Sequence, residues 1–452
     1  MMDLTINEIA LCCGAAYYGP EELRHERICA VTIDSRTVSA GSMFAALAGE
    51  RTDGHRFIPM AFEKGAVCVL AERVPEQTVP GVVLVVQDVR AALQTAAAYY
   101  RSKFDIPFVG VTGSVGKTTA KEMVAAVLGE KFCVHKTAAN LNNELGVPLT
   151  LFALKKEHTA AVVEMGISDF GEMRRLAAMV KPDYAIFTTI GDAHLEFLGD
   201  RAGVLRAKSE MLEHMSAEGC VLINGDDAVL KTLSCPQKQL RFGLGDDCDV
   251  RAEELLVDEK GEISCCIVSG EHRLSVKIPA YGDHMVYAAL EAAALAIELG
   301  LSDSEIIAGI GKYETVGHRG RVIRKGQQTI VDDCYNANPT SVESAIRSLR
   351  RLPGRHVCIL GDMLELGEES AMLHAACGRF AREQGIELLL CCGDLSRSMA
   401  EAAGDAAVHF ESRQALIDAL PKLLQPDDCI LVKASHSMRF EEIVAAIEHL
   451  NS

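Results

Sequence analysis

The segment GVTGSVGKTTAKEM, from Gly110 to Met123, constrains the fold more than any other part of this chain. It follows the apolar run IPFVGV and leads into a helical pattern, which predicts a strand, a glycine loop and a helix in direct succession. That order directs free backbone amides and the positive end of a helix towards an anion. The segment therefore favours a phosphate site in an α/β sheet, and the alternative is an ordinary strand–helix turn.

The loop keeps most of the P-loop pattern GxxxxGK[ST], although Val111 stands where the first glycine belongs. Lys117 would neutralise the β- and γ-phosphates of a nucleotide, and the hydroxyl of Thr118 would bind Mg²⁺. The residues of this segment that we expect to contact the nucleotide are Gly113, Ser114, Gly116, Lys117, Thr118 and Thr119.

Composition narrows the class of protein. The 452 residues suggest about three domains, and the formal net charge of −18 argues against a nucleic-acid-binding surface. No apolar run reaches the roughly 18 residues that span a bilayer, and the start MMDLTINEIALCC lacks the basic region of a signal peptide. The 16 cysteines are scattered without zinc-like spacing, which favours reduced thiols. We therefore expect a cytoplasmic protein that does not insert into a membrane.

The order of strand and helix patterns divides the chain into three blocks. Residues 1–103 alternate short strand-like pieces with helical patterns. Residues 104–314 begin with the glycine loop and continue with apolar strands between helices, which is typical of a mostly parallel sheet. Residues 315–452 hold five strand patterns separated by helices, as in a Rossmann-like domain. We predict a three-domain α/β protein with these boundaries.

Two polar residues follow strands of the central block. Glu164 ends the apolar run VVEM, and His194 follows the next strand pattern, AIFTTI. In a parallel sheet the carboxyl ends of strands face the crevice where ligands bind. The alternatives are an exposed loop glutamate and a histidine with an ordinary structural partner. The position of both beside the glycine loop favours a metal site.

Several longer motifs occur in order along the chain. They are DSRTVSAGSMFAALAGERTDGHRFI, TAANLNNELGVPLTLF, VVEMGISDFGEMRRL, AKSEML, GHRGRV, VDDCYNANPTSVESAI and LGDMLELGEES. Together with the glycine loop they resemble the Mur ligase family over nearly the whole chain. YNANP and LGDMLELGEES resemble the member that joins D-alanyl-D-alanine to UDP-N-acetylmuramoyl-tripeptide in bacterial cell-wall synthesis. The resemblance implies an N-terminal UDP-sugar-binding domain, a central ATP-binding domain and an acyl-phosphate intermediate.

The resemblance also implies a metal and a modified lysine. In that family the positions matching Thr118, Glu164 and His194 surround Mg²⁺. The lysine matching Lys208, in AKSEML, is carbamylated by CO₂ and helps to hold the metal. Carbamylation requires a neutral amine, and hence a lowered lysine pKa.

Further residues are assigned by the same resemblance. We favour Arg321 over Arg319 as the arginine that reaches the γ-phosphate. Asp332, Asn336 and Asn338 match residues that face the nucleotide and the acyl phosphate. The segments that hold the UDP-sugar part correspond to Ser35, Arg36, Asn140, Asn142 and Asn143. The expected catalytic set is Lys117, His194, Lys208, Arg321 and Asn336.

Three positions depart from the family pattern. Val115 stands where Asn is common, and His436 stands where the family has Arg. In the nucleotide segment His284 keeps its place, but Met285 and Ala288 replace two asparagines. The loss of these amides predicts a base pocket of apolar and backbone contacts, with weak discrimination between ATP and GTP.

Other functions compatible with the motifs are the ligase that adds the third residue of the peptide and a folate-polyglutamate type of ligase. A non-catalytic paralogue that binds nucleotide or UDP-sugar and regulates is a further alternative. YNANP and LGDMLELGEES argue against the first two, and the set of Lys117, Thr118, Glu164, His194 and Lys208 argues against the third. We expect a monomer that uses ATP and Mg²⁺, with diaminopimelate or lysine as the third residue of the tripeptide.

Overall fold

The computed structural model describes residues 2–49, 52–76, 78–258 and 261–450. These residues form three sheets in chain order, with helices packed on their faces. The predicted α/β class is confirmed. None of the helices in these ranges is both long enough and apolar enough to cross a bilayer.

The N-terminal sheet has five strands. They are β1 (Ala16–Tyr18), β2 (Val31–Thr32), β3 (Met43–Ala45), β4 (Cys68–Ala71) and β5 (Val82–Val85). Its helices are α1 (Ile6–Cys13), α2 (Ile58–Glu63) and α3 (Val89–Arg101). The spatial order is β1-β5-β4-β3-β2, with β1 antiparallel to β5. Neither α1 nor β1 was predicted, although Thr5 and Glu8 form a capping box that starts α1.

The central sheet has nine strands. They are β6 (Phe108–Thr112), β7 (Val134–Lys136), β8 (Ala160–Glu164), β9 (Tyr184–Phe187), β10 (Cys220–Asn224), β11 (Lys238–Gly243), β12 (Val250–Val257), β13 (Ile263–Ser269) and β14 (His272–Ile278). Its helices are α4 (Lys117–Leu128), α5 (Gly146–Phe152), α6 (Glu172–Val180), α7 (Leu195–Leu198), α8 (Arg201–Ser209), α9 (His284–Glu298) and α10 (Asp303–Gly311). The order is β14-β13-β12-β11-β10-β9-β6-β8-β7, parallel from β7 to β12 and antiparallel beyond. The strands β8, β6 and β9 are neighbours, so the residues that follow them meet at one edge.

The C-terminal sheet has six strands. They are β15 (Arg321–Lys325), β16 (Gln328–Asp332), β17 (Arg355–Gly361), β18 (Leu388–Cys392), β19 (Ala407–Phe410) and β20 (Asp428–Lys433). Its helices are α11 (Pro339–Leu349), α12 (Ser370–Glu383), α13 (Arg397–Ala403), α14 (Arg413–Leu423) and α15 (Glu441–Leu450). The order is β15-β16-β20-β17-β18-β19, parallel except for β15. The five predicted strands are present, whereas β15 and α15 were not predicted.

One hydrophobic core, with members from Met2 to Leu230, joins the first two sheets, and each of these sheets also packs a second core of its own. Tyr100 of α3 is buried in it, and its hydroxyl donates to the carbonyl of Leu154 at 2.8 Å. Arg101 donates to the carbonyl of Val180 at 2.6 Å. The C-terminal sheet instead has separate cores on its two faces. It meets the central part across a cleft, with the buried Tyr281 as a shared apolar residue.

Candidate active site

The glycine loop between β6 and α4 is held in one shape by the chain that follows β9. Gly113 and Gly116 have φ of 150° and 87°, which favour glycine. A Cβ on Gly113 would come within 2.0 Å of Oγ1 of Thr188. That same hydroxyl donates to the carbonyl of Val115 at 2.5 Å, and the amide of Ser114 donates to the carbonyl of Thr189 at 2.7 Å. The loop is thus pre-formed around the start of α4, as an anion site requires.

Lys117 opens α4 and bends back over the loop. Its Nζ donates to the carbonyl of Gly113 at 2.8 Å. Burial lowers the pKa of Lys117, and the nearby charge of Glu164 opposes that effect. Because the amine is desolvated and its one hydrogen-bond partner within the described ranges is a neutral oxygen, a phosphate would be a strong ligand here.

Thr118 and Glu164 lie side by side at the floor of the cleft. Oγ1 of Thr118 donates to Oε2 of Glu164 at 3.0 Å, and Nδ2 of Asn142 donates to Oε1 at 2.8 Å. Glu164 is 2% exposed, and Nζ of Lys121 lies 3.8 Å from Oε2. A hydroxyl and a carboxylate are hard oxygen ligands, so Thr118 and Glu164 fit a magnesium ion that takes its other ligands from phosphates and water.

His194 lines the same cleft as Glu164. It precedes α7 in the left-handed conformation, with φ of 56°. Its Nδ1 lies 2.7 Å from Oε2 of Glu365, which belongs to the C-terminal part. The contact with His194 holds the pKa of Glu365 below its ordinary value. The imidazole therefore links the wall of the cleft that carries Glu164 to the opposite wall.

Lys208 lies on α8 and is 1% exposed. No hydrogen bond or ion pair to its Nζ is formed within the described ranges. Burial, and then the charge of Lys117, holds the pKa of Lys208 well below the ordinary lysine value. Lys208 is not among the residues that line the cleft. The lowered pKa favours the neutral form of the Lys208 amine.

Lys433 is a residue of the opposite wall that the sequence analysis missed. It ends β20, and its Nζ donates to Oδ2 of Asp333 at 2.7 Å and to the carbonyl of Asn336 at 2.8 Å. Its side chain is 4% exposed. A lysine at the end of the apolar run DCILVK was the available signal. The predicted Asn338 lines the cleft and caps α11, since its Oδ1 accepts from the amide of Ser341 at 2.9 Å.

The structure brings Arg319, and not Arg321, to the cleft. Arg321 is exposed on the edge strand β15 and is not a lining residue. Arg319 lines the cleft, and its guanidinium carbon lies 3.6 Å from the centre of the Tyr335 ring. The ring of His436 stacks on Tyr335 at 5.0 Å between centroids. His436, which departs from the family pattern, thus packs against the same aromatic ring as Arg319.

Asp332 also lies away from the cleft, where Asp333 takes its place. Asp332 is fully buried, and its Oδ2 lies 2.7 Å from Nδ1 of His318. Asp332 is the last residue of β16 and Asp333 follows the strand, and the role expected for Asp332 stays a prediction. Asn336 is placed as expected, in the lining of the cleft.

The residues expected to bind the UDP-sugar part do not all line the cleft. Ser35 is buried, while Arg36 is exposed and pairs with Asp34 at 2.7 Å. Ser35, Arg36 and the exposed Asn140 are absent from the cleft lining. Asn143 does line it, and its Oδ1 accepts from the amide of Gly146 at 2.9 Å. The UDP-sugar assignments stay predictions.

The main cleft, of about 360 Å³, is joined at the glycine loop by a second cavity of about 480 Å³. Gly116, Thr119 and His284 line both. Burial lowers the pKa of His284, and Gly282 admits its ring, since a Cβ there would lie 2.6 Å from Cε1. The second cavity is therefore placed to hold the part of a nucleotide that lies next to its phosphates.

Family models match the chain in three consecutive stretches. They are described as Mur ligase family, catalytic domain (residues 27–101), Mur ligase middle domain (residues 111–296) and Mur ligase, glutamate ligase domain (residues 318–436). The curated UDP-N-acetylmuramoyl-tripeptide–D-alanyl-D-alanine ligases of Bacillus subtilis and Escherichia coli are each 35% identical to the chain. The alignment covers 92% of both chains for the first and 93% of both for the second.

Two solved structures are similar over the whole fold. A crystal structure of MurF from Acinetobacter baumannii matches with a TM-score of 0.90 at 30% identity, covering 98% of both chains. The MurF ligase of Thermotoga maritima in complex with ADP matches with a TM-score of 0.85 at 27% identity, covering 94% of this chain and 98% of that one.

Proposed function

The chain belongs to the Mur ligase family, and from that membership we propose that it joins D-alanyl-D-alanine to UDP-N-acetylmuramoyl-tripeptide with the conversion of ATP to ADP. One observation carries this function: relatives with that name are 35% identical over more than nine-tenths of the chain. The pre-formed phosphate loop supports the use of ATP. The product is a peptidoglycan precursor.

The reaction needs two displacements at phosphorus and carbon. The tripeptide carboxylate attacks the γ-phosphorus of ATP, which forms an acyl phosphate and releases ADP. The amine of D-alanyl-D-alanine then attacks the acyl carbon, and the tetrahedral intermediate expels phosphate while the amine loses a proton. The enzyme's work is therefore to hold like-charged groups together. Lys117 supplies positive charge from the loop, and Arg319 and Lys433 supply it from the opposite wall.

We assign the magnesium site to Thr118 and Glu164, with His194 as a further ligand. The adjacent hydroxyl and carboxylate oxygens support this assignment. Bound Mg²⁺ would neutralise phosphate charge. Asn142 fixes the second oxygen of Glu164, so that one oxygen stays directed at Thr118.

Lys208 is proposed to carry a carbamate. Its neutral amine would attack the carbon of CO₂ and lose one proton, which converts a buried base into an anion. The burial of Nζ, its unpaired state within the described ranges and its lowered pKa support this step. The anion would face Lys117, whose charge it would balance.

The remaining expectations stay part of this proposal. They are a monomeric state, the boundaries at residues 103 and 314, and a cytoplasmic location, which the free thiols at all sixteen cysteines support. A phosphate-release assay with product detection tests the function. Product should form only when ATP, UDP-N-acetylmuramoyl-tripeptide and D-alanyl-D-alanine are all present, and free D-alanine should substitute poorly.

The same assay separates the alternatives. Product from UDP-N-acetylmuramoyl-dipeptide and a free amino acid would assign the preceding ligation step. Extension of folate with glutamate would assign a folate-type ligase. Nucleotide binding without product from any of these substrates would identify a regulatory paralogue.

A further inference from the structure

Glu291 is a buried carboxyl group on α9 that the mechanism above does not use. It is 2% exposed, and its Oε2 has no hydrogen-bond partner within the described ranges. Burial raises the pKa of Glu291 well above its ordinary value, which favours the neutral form of the carboxyl group. A buried polar atom without a partner is costly, and in native proteins it calls for a ligand or water.

Glu291 lines the second cavity, which begins at Gly116 of the glycine loop. Ala288, one helical turn earlier, lines the same cavity, as does the ring of Tyr287. Three other carboxylates of this cavity are already engaged by protein donors, and one of them, Asp283, pairs with Arg351 at 2.9 Å. Asp226 accepts from the amide of Leu244 at 2.6 Å, and Asp227 accepts from that of Ile190 at 2.7 Å. Glu291 is thus the carboxyl group of this cavity that no protein donor engages within the described ranges.

We propose that Glu291 is a specificity-determining residue whose buried, unpartnered carboxyl group binds the 6-amino group and an adjacent ring nitrogen of adenine. The inference rests on the proposed use of ATP. It places the nucleobase in the second cavity, next to the phosphates at the glycine loop, with Ala288 leaving room for it. The loss of two asparagines predicted a base pocket of apolar and backbone contacts. Glu291 would add a polar side chain to that pocket.

The chemistry of a neutral carboxyl suits this edge of adenine. Its carbonyl oxygen accepts from the amino group, while its O–H donates to the ring nitrogen. The side-chain amide of Asn or Gln makes the same pair of bonds with adenine. An acid at position 291 can therefore replace an amide at position 288, since residues three apart lie on one face of a helix.

Nucleotide binding to the full-length protein tests this inference directly. The probes are Mg-ATP and the Mg-triphosphate of purine riboside, which has hydrogen in place of the 6-amino group. The variants are Glu291→Leu and Glu291→Gln, and the matched control is Glu298→Gln on the same helix, where the carboxylate pairs with Lys238 at 2.6 Å. Melting temperatures are measured for each variant without nucleotide.

The wild type should bind ATP about tenfold or more tightly than the purine analogue, because a hydrogen-bonding site rejects a ligand that lacks the partner. Glu291→Leu should bring the ratio of the two dissociation constants close to one. Glu291→Gln and Glu298→Gln should keep it. The leucine variant without nucleotide should melt at or above the wild-type temperature, since an unpaired buried polar group is removed.

An unchanged ratio in Glu291→Leu would overturn the inference. So would equal binding of both nucleotides by the wild type, or a Glu291→Gln variant that discriminates no better than the leucine variant. A ligase assay on the wild type separates this failure from that of the proposed function. If product forms and the ratio is unchanged in Glu291→Leu, only the role of Glu291 is contradicted. If the wild type discriminates between the nucleotides but forms no product, only the proposed ligase function is contradicted.

Discussion

Nδ1 of His194 and Oε2 of Glu365 lie 2.7 Å apart and join the two walls of the cleft. Both residues adopt the left-handed conformation, with φ of 56° and 62°. Each non-glycine residue in that region costs about 1 kcal/mol or more, so the surrounding chain must hold it there. Such strain is concentrated at functional sites, which agrees with the proposal of His194 as a metal-side residue.

The first prediction concerns the pH dependence of this pair. The pKa of Glu365 lies below its ordinary value of 4.5, so the stabilisation is present above pH 4.5 and is lost as pH falls through the lowered pKa. Glu365→Gln should lower the melting temperature at pH 5 to 6, and the difference from wild type should shrink towards pH 3. The loss in free energy of unfolding in Glu365→Gln should be less than about 1 kcal/mol, because the side chain of Glu365 is half exposed. Glu368→Gln is the control, and a difference that does not change with pH would contradict the assignment.

The second prediction is that Lys117→Ala abolishes turnover while the fold is retained. Loss of a preorganised charge at a phosphoryl-transfer site typically costs on the order of 10²-fold or more in kcat. Steady-state phosphate release measures the loss, and circular dichroism checks the fold. Lys155→Ala, at an exposed lysine, should behave as wild type. Activity of Lys117→Ala within about twofold of the wild type would end the role of this loop in catalysis.

The third prediction distinguishes two arginines. Arg319→Ala should lower kcat on the order of 10²-fold, because its guanidinium faces the cleft where the phosphate charge develops. Arg321→Ala should keep activity, since that side chain is exposed at the sheet edge. Both variants are compared in the same ligase assay. If Arg321→Ala loses activity and Arg319→Ala keeps it, Arg321 is the arginine that reaches the γ-phosphate, as the sequence analysis favoured.

The fourth prediction is about Lys208. Lys208→Ala should lose activity sharply, and small carboxylates in solution should partly restore it if a carbamate is required. A mass gain of one CO₂ on the native protein would identify the modification. A surface lysine would instead give a change within about 0.5 kcal/mol in stability with activity kept. An active, unrescued Lys208→Ala enzyme would exclude the carbamate.

The sequence predicted the phosphate loop, the α/β class and the positions of most strands, because these follow from local patterns. Apolar runs such as VVLVV and the glycines of the loop indicate structure without tertiary information. Thr118 and Glu164 could be paired because both follow neighbouring parallel strands. Weak discrimination between ATP and GTP, which was predicted from Met285 and Ala288 alone, stays untested, and the role proposed for Glu291 argues against it.

The site residues that sequence analysis did not identify could not be found from local patterns, because their roles depend on which way a side chain points and on whether it is buried. Asp332 and Asp333 are adjacent in sequence, and no local pattern indicates which of the two lines the cleft. Lys208 and Glu291 lie on helices, where charged side chains are ordinarily solvated. Nothing local in AKSEML or YAALEAAAL reveals that both are buried. The burial arises from elements distant in the chain.

The hydrophobic core shared by the first two sheets determines which parts of the molecule unfold together. Because the layer between α3 and the central sheet is continuous, neither of these parts can open without exposing the apolar face of the other. The C-terminal sheet has two cores of its own, and it meets its neighbour through the buried Tyr281 and through polar contacts such as the ion pair of Arg351 and Asp283. Amide hydrogen exchange should therefore divide the chain into two cooperative units instead of three, with the C-terminal unit free to unfold and refold while the other remains native.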